Sequence, residues 1–208
     1  MVAEEMSTPE LRVMTVDVGA YRGNVDALAD AVRHAEPDVV AVIGAPRFLR
    51  WRSKRAALAR RCGLVVATAD RPGGLLIMTS LRAAVVDTSF ALLPLSPGGR
   101  RRSVVSAVVE TLGARWRVAA VRLGADAGER ASHSTALQSA LFGGESSQTP
   151  LIVAGDLAEP ADGPLQAALR DRLAECASDG ARVILADPAL TVVSATSQPL
   201  TAVLSQTH

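Results

Sequence analysis

Hydrophobic and polar positions alternate over residues 11–18 (LRVMTVDV), which predicts a half-buried strand. Val25, Leu28, Ala31 and Val32 then recur at helical spacing, and Pro37 stops the helix they predict. Residues 38–45 (DVVAVIGA) form a nearly continuous β-branched run, the pattern of a strand covered on both faces. A helix is expected around residues 48–63, ending at Gly63, with Phe48, Leu49, Ala57 and Leu58 facing inward. Strands are predicted at 64–69, 73–80, 83–93, 102–112 and 116–123, separated by turn residues such as Pro72-Gly73-Gly74. A helix over 129–142, a strand at 151–156, a helix over 163–176 and strands at 181–187, 190–195 and 200–204 complete the chain. About eleven strands and four helices in this order do not make a doubly wound sheet; two packed sheets with helices outside satisfy it better.

With 208 residues, 49% of them hydrophobic, the chain can bury a substantial core as one domain. Residues 11–208 are read as that domain and residues 1–10 as a disordered tail. The net charge of +1 gives no global drive towards nucleic acid or membrane. Of the 22 basic residues only Lys54 is lysine, a bias typical of high-GC, actinobacterial-type coding. Cys62 and Cys176 stand far apart with no metal-ligand spacing, which suits reduced thiols in a cytoplasmic protein. The polar N-terminus does not read as a signal peptide. No apolar run approaches the ~20 residues of a membrane span.

Seven segments, in this order, carry a family resemblance: LRVMTVDV, PDVVAVIGAPR, GGLLIMTS, RRSVVSAVVE, WRVAAVRLG, PLIVAGDLAEP and VILADPAL. Together they make residues 11–204 similar to the endonuclease/exonuclease/phosphatase superfamily of magnesium-dependent phosphoesterases. The resemblance implies a four-layer α/β/β/α sandwich, two mixed and mostly antiparallel sheets face to face with helices outside. It also locates the site position by position. Asp17 stands where the family has a metal-holding asparagine, and Gly44 where it has the principal magnesium ligand, a glutamate. Arg122 replaces a phosphate-contacting histidine. Asp156 keeps the aspartate of Gly-Asp-Leu-Asn, whose asparagine is Ala158. Arg182 and Ser197 fall where an aspartate and the general-base Ser-Asp-His stretch are expected. His208, the last residue, is no substitute base.

The hydrophobic frame is thus kept while the catalytic positions are replaced. The resemblance therefore implies a degenerate, non-hydrolytic and metal-independent member, with no cofactor, that uses the cleft or an outer face for binding. Arg122 and Arg182 are candidate anion ligands beside Asp17 and Asp156. The partner expected is a small molecule or a protein, with nucleic acid disfavoured and no membrane. A repurposed metal-free enzyme acting on a small organic substrate is the alternative, and a weak Mg/Mn-dependent phosphodiesterase a third reading. The seven basic residues of 47–61 and the GGRRR stretch at 98–102 read as a solvated face and a turn, and His133 as a surface helix residue.

Overall fold

A computed structural model describes residues 8–19, 24–95, 98–143, 148–180 and 182–206. Strand β1 (Glu10–Asp17) leads through helix α1 (Val25–Ala35) to β2 (Val39–Ile43). Helix α2 (Trp51–Cys62) is followed by β3 (Val65–Ala69), β4 (Leu76–Thr79), β5 (Ala84–Leu92), β6 (Ser103–Thr111) and β7 (Ala114–Arg122). Helix α3 (Ala127–Phe142), β8 (Leu151–Asp156) and α4 (Pro164–Arg170) come next. Strands β9 (Ala174–Ser178), β10 (Arg182–Ala186), β11 (Leu190–Ser197) and β12 (Leu200–Gln206) end the chain.

The strands form two six-stranded sheets, ordered β11-β12-β1-β2-β4-β3 and β5-β6-β7-β8-β10-β9. Only β1–β2 and β7–β8 pair in parallel; the other pairs are antiparallel. Each parallel pair is joined by a crossover containing a helix, as parallel strands require. The period of two along each strand then sorts the side chains. Leu11, Val13, Val39, Ala41 and Ile43 of one sheet meet Trp116, Val118, Ala120, Ile152, Ala154 and Ile184 of the other. The alternate residues face outward under helices: Met14, Val16, Val40 and Val42 pack on α1 and α2. Val121, Val153, Val183 and Leu185 pack with Leu137 and Leu141 of α3 and Leu165 and Leu169 of α4. The architecture is the expected four-layer α/β/β/α sandwich.

Several details differ from the sequence reading. The expected helix over 163–176 ends at Arg170, and residues 174–178 are instead the edge strand β9, giving twelve strands. Leu165, Leu169 and Leu173 are all buried at four-residue intervals, which prolongs a helical pattern beyond the helix itself. The tail expected over 1–10 lies outside the described residues up to position 7, and Glu10 already belongs to β1. Helix α2 starts only at Trp51, so Phe48 and Leu49 precede it and are 75% and 81% exposed. Leu58 does face inward, with Arg55, Ala59 and Cys62 as its buried companions, while Ala57 is half-buried. His133 is not a surface residue: it is fully buried on α3, with Nε2 2.8 Å from the carbonyl of Pro94. The outer edge strand β5 is exposed along its length, including Val85, Val86, Phe90 and Leu92.

One contact ties β7 to β8 very closely. A Cβ added at Gly155 would lie 2.1 Å from the backbone oxygen of Val121. Because that neighbour is backbone within a paired strand, it cannot swing aside. Gly155→Ala should therefore destabilise the fold by about 2–4 kcal/mol, a drop in Tm of roughly 4–16 °C, readable by thermal melting.

Candidate functional site

The parallel strands β1, β2, β7 and β8 bring their C-terminal ends to one mouth of the sandwich, where the inner core layer gives way to polar side chains. Asp17 continues the inward-facing series of β1, and its Oδ1 accepts a hydrogen bond from the Gly19 amide at 2.7 Å. Arg122 continues the inward series of β7. Its Nη2 lies 3.8 Å from Asp17 Oδ2, and each side chain is about one-third exposed, so the pair adds little stability. Gly44, just past β2, has φ +68°. A Cβ there would lie 2.6 Å from Asp17 Oδ1 and 3.1 Å from Arg122 Nη1. The aspartate–arginine pair thus fills the space that a side chain at position 44 would enter.

Arg122, Asp156 and Arg182 sit abreast across β7, β8 and β10, each the register partner of its neighbour. Asp156 Oδ1 accepts from the Ala158 amide at 2.8 Å, and Ala158 adopts φ +51°. The non-glycine left-handed residue is held on both sides, since its carbonyl accepts from Arg130 Nη1 at 3.0 Å. Arg182 turns to another partner: its guanidinium pairs with Asp179, Nε to Oδ1 at 3.2 Å. Ser197 is exposed at the end of β11. Neither Arg182 nor Ser197 is on the wall of the cavity at this mouth, whereas Gly44, Arg122, Asp156 and Ala158 are.

That cavity is an open cleft of about 1160 Å³. Its wall holds six arginines: Arg47, Arg71, Arg100, Arg101, Arg102 and Arg122. Asp156 is its one carboxylate among the described residues. The sequence pattern places Arg47 on a solvated face and Arg100–Arg102 in a turn, and does not single out Arg71. Their convergence was not legible because three separate loops supply them: the β2–α2 link, the β3–β4 turn and the entry to β6. Mutual repulsion registers on Arg47, whose pKa is lowered first by burial and then by Arg100, Arg102 and Arg122.

A buried hub holds these loops. Asp70, almost fully buried in the β3–β4 turn, accepts hydrogen bonds from the amides of Gly73 and Leu75 and from the Ser103 hydroxyl of β6. Arg55 of α2 donates to the carbonyls of Pro46 (2.9 Å), Leu75 (3.0 Å) and Asp70. Burial lowers its pKa to about 10, against the opposing pull of Asp70. Helix, loop and sheet are thereby fastened around the arginines. Arg102 is anchored by Glu129 of α3 at 3.2 Å. Arg130 links the carbonyls of Gly124, Ala125 and Ala158 and lies 3.4 Å from Glu159.

The thiols take no part in this cleft. Burial pushes both Cys62 and Cys176 up to about 11, Glu175 adding to the effect at Cys176. At pH 7.5 a thiol of that pKa is ionised on the order of one part in three thousand. Reaction of the native protein with a disulfide reagent should therefore be slow at pH 7.5, accelerate as pH rises towards 11, and become fast in denaturant. Rapid labelling of the folded protein at neutral pH would contradict the burial described.

Among the described residues, no helix is long and apolar enough to cross a membrane. No protein-family model matches the chain, and no curated protein matches it in sequence. Solved structures do match in fold. An endonuclease/exonuclease/phosphatase family protein from Bacteroides thetaiotaomicron aligns over 97% of this chain and 100% of its own, with TM-score 0.74 and 12% identity. An endonuclease/exonuclease/phosphatase from Beutenbergia cavernae is 18% identical over 95% of this chain and 72% of its own, with TM-score 0.70. The catalytic domain of human Nocturnin, described with a bound sulfate anion, is 14% identical over 95% and 94%, with TM-score 0.69.

Proposed function

We propose that this chain, which has the endonuclease/exonuclease/phosphatase fold, is a non-hydrolytic and metal-independent binding protein whose mouth cleft takes an anionic ligand. The observation that carries this reading is the arrangement of Gly44, Asp17 and Arg122. At the position aligned with the principal magnesium ligand there is no side-chain oxygen, and the space beside it is taken by a guanidinium paired with a carboxylate.

The residues present do not fit a magnesium ion. A hard divalent cation takes about six oxygen ligands, several of them carboxylate. Here one oxygen of Asp17 accepts from Gly19 and the other faces Arg122, while one oxygen of Asp156 accepts from Ala158. A dication would also have to sit beside the Arg122 guanidinium. No group of three or more His, Cys, Asp or Glu side chains suited to a metal occurs among the described residues.

What this cleft can do is receive negative charge. A guanidinium presents planar paired donors that match phosphate or carboxylate oxygens, and it keeps its charge without a metal. The small-molecule enzyme reading calls for a closed, largely apolar cavity with a few polar groups. The arginine-lined open cleft favours binding over that alternative.

Calorimetric titration with Mg²⁺ and Mn²⁺ should give no specific heat up to millimolar metal, and phosphomonoester and phosphodiester substrates should turn over at the buffer rate. Inorganic phosphate or sulfate should bind measurably, and Arg122→Ala should weaken that binding about tenfold. Metal binding abolished by Asp17→Ala/Asp156→Ala, together with metal-dependent turnover, would sink the reading.

A further inference from the structure

We infer that the cleft is a site for a nucleoside polyphosphate held without metal, its phosphate chain lying across Arg47, Arg71, Arg100 and Arg101 and its base against Phe48. The inference rests on the reading of the cleft as a metal-independent anion site and specifies the ligand's charge and shape.

Charge comes first. Two of the six wall arginines are already matched, Arg122 with Asp17 and Arg102 with Glu129. Arg47 donates to the carbonyl of Pro72, and Arg71 to the carbonyl of Arg47. Among the described residues neither forms an ion pair with a carboxylate, and the same is true of Arg100 and Arg101; the buried Asp70 offsets part of the charge at Arg47. Four guanidiniums without an ion pair therefore converge on one cleft, with Asp156 as the opposing charge on its wall. A single phosphate leaves most of that excess unmatched; a triphosphate, with about four negative charges near neutral pH, matches it.

The second feature is an exposed aromatic ring on the same wall. Phe48 lines the cleft, is 75% exposed, and has the Arg47 guanidinium 5.8 Å from its centroid. The tryptophans are engaged elsewhere: Trp116 is in the core, and Trp51 stacks with Arg52 and Arg55. An exposed aromatic beside an arginine cluster is a stacking platform for a base.

A long nucleic acid fits less well, because it needs a basic track longer than one cleft. Beyond the cleft, Arg33 pairs with Asp30, Arg61 with Asp26, Arg82 with Asp38, Arg115 with Glu110 and Arg170 with Glu175. The exposed Arg50, Arg52 and Arg60 form no ion pair among the described residues, and none of them lines the cleft.

The test is titration of the whole chain, in EDTA at low salt, with ATP, GTP and inorganic tripolyphosphate. One nucleotide per chain should bind, and more tightly than tripolyphosphate. Added Mg²⁺ should weaken nucleotide binding, because it neutralises the phosphates that the arginines read. Arg100→Ala/Arg101→Ala, at exposed positions that leave the core intact, should weaken all three ligands about tenfold or more. Phe48→Ala should weaken the nucleotides about 5- to 150-fold and leave tripolyphosphate unchanged. If tripolyphosphate binds as well as the nucleotides and Phe48→Ala changes nothing, the nucleotide assignment falls while the anion-binding reading stands. If none of the three binds, both fall. Hydrolysis on adding Mg²⁺ would overturn the non-hydrolytic reading, and tighter binding of a single-stranded oligonucleotide than of ATP would overturn the choice of ligand.

Discussion

The structure depends on the burial of one apolar layer between two twisted sheets. Trp116 and the Val, Ile, Leu and Ala side chains around it exclude water along the length of the strands. Burial of this kind is the dominant favourable term in folding, about 1.5–3 kcal/mol for each Val, Leu or Ile side chain. The layer also fixes where chemistry can occur. Asp17, Arg122 and Asp156, charged members of the inward series, stand where the layer ends.

The fold was legible wherever burial on both faces dictates the residues. In β2 every side chain is buried, and the sequence accordingly reads VVAVI without alternation. Legibility failed where two signals overlapped, as in the Leu165, Leu169 and Leu173 series that runs through both a helix and the turn after it. It also failed where a local pattern implied a boundary: Phe48 and Leu49 look like the first turn of an amphipathic helix, yet the helix begins after them. Of the candidate residues, Gly44, Arg122, Asp156 and Ala158 line the cleft, and Asp17 adjoins it through Arg122. Arg182 has the right register but a nearer carboxylate, three residues back along the chain.

Charge explains the larger omission. Net charge is a sum over the whole chain, and at +1 it conceals how unevenly the arginines are distributed in space. Over the outer surface five of them pair with carboxylates, whereas in the cleft several meet one another. That clustering opposes folding through like-charge repulsion, and the loops carrying it are secured from beneath by Asp70 and Arg55. The buried hub uses a carboxylate with three donors and a guanidinium spread over three carbonyls, so the fastening survives without any ligand above it.

Gly44 limits what the cleft can become. Its left-handed backbone tolerates glycine far better than an acidic side chain, and Asp17 and Arg122 occupy the room such a side chain would enter. Introducing a glutamate alone would meet backbone strain, a crowded carboxylate and a neighbouring guanidinium. A carboxylate at position 44 would need room that Asp17 and Arg122 now take, so those two positions would have to change with it. The geometry is a lock: what the cleft binds can be refined through the loops around it more easily than position 44 can be made into a cation ligand.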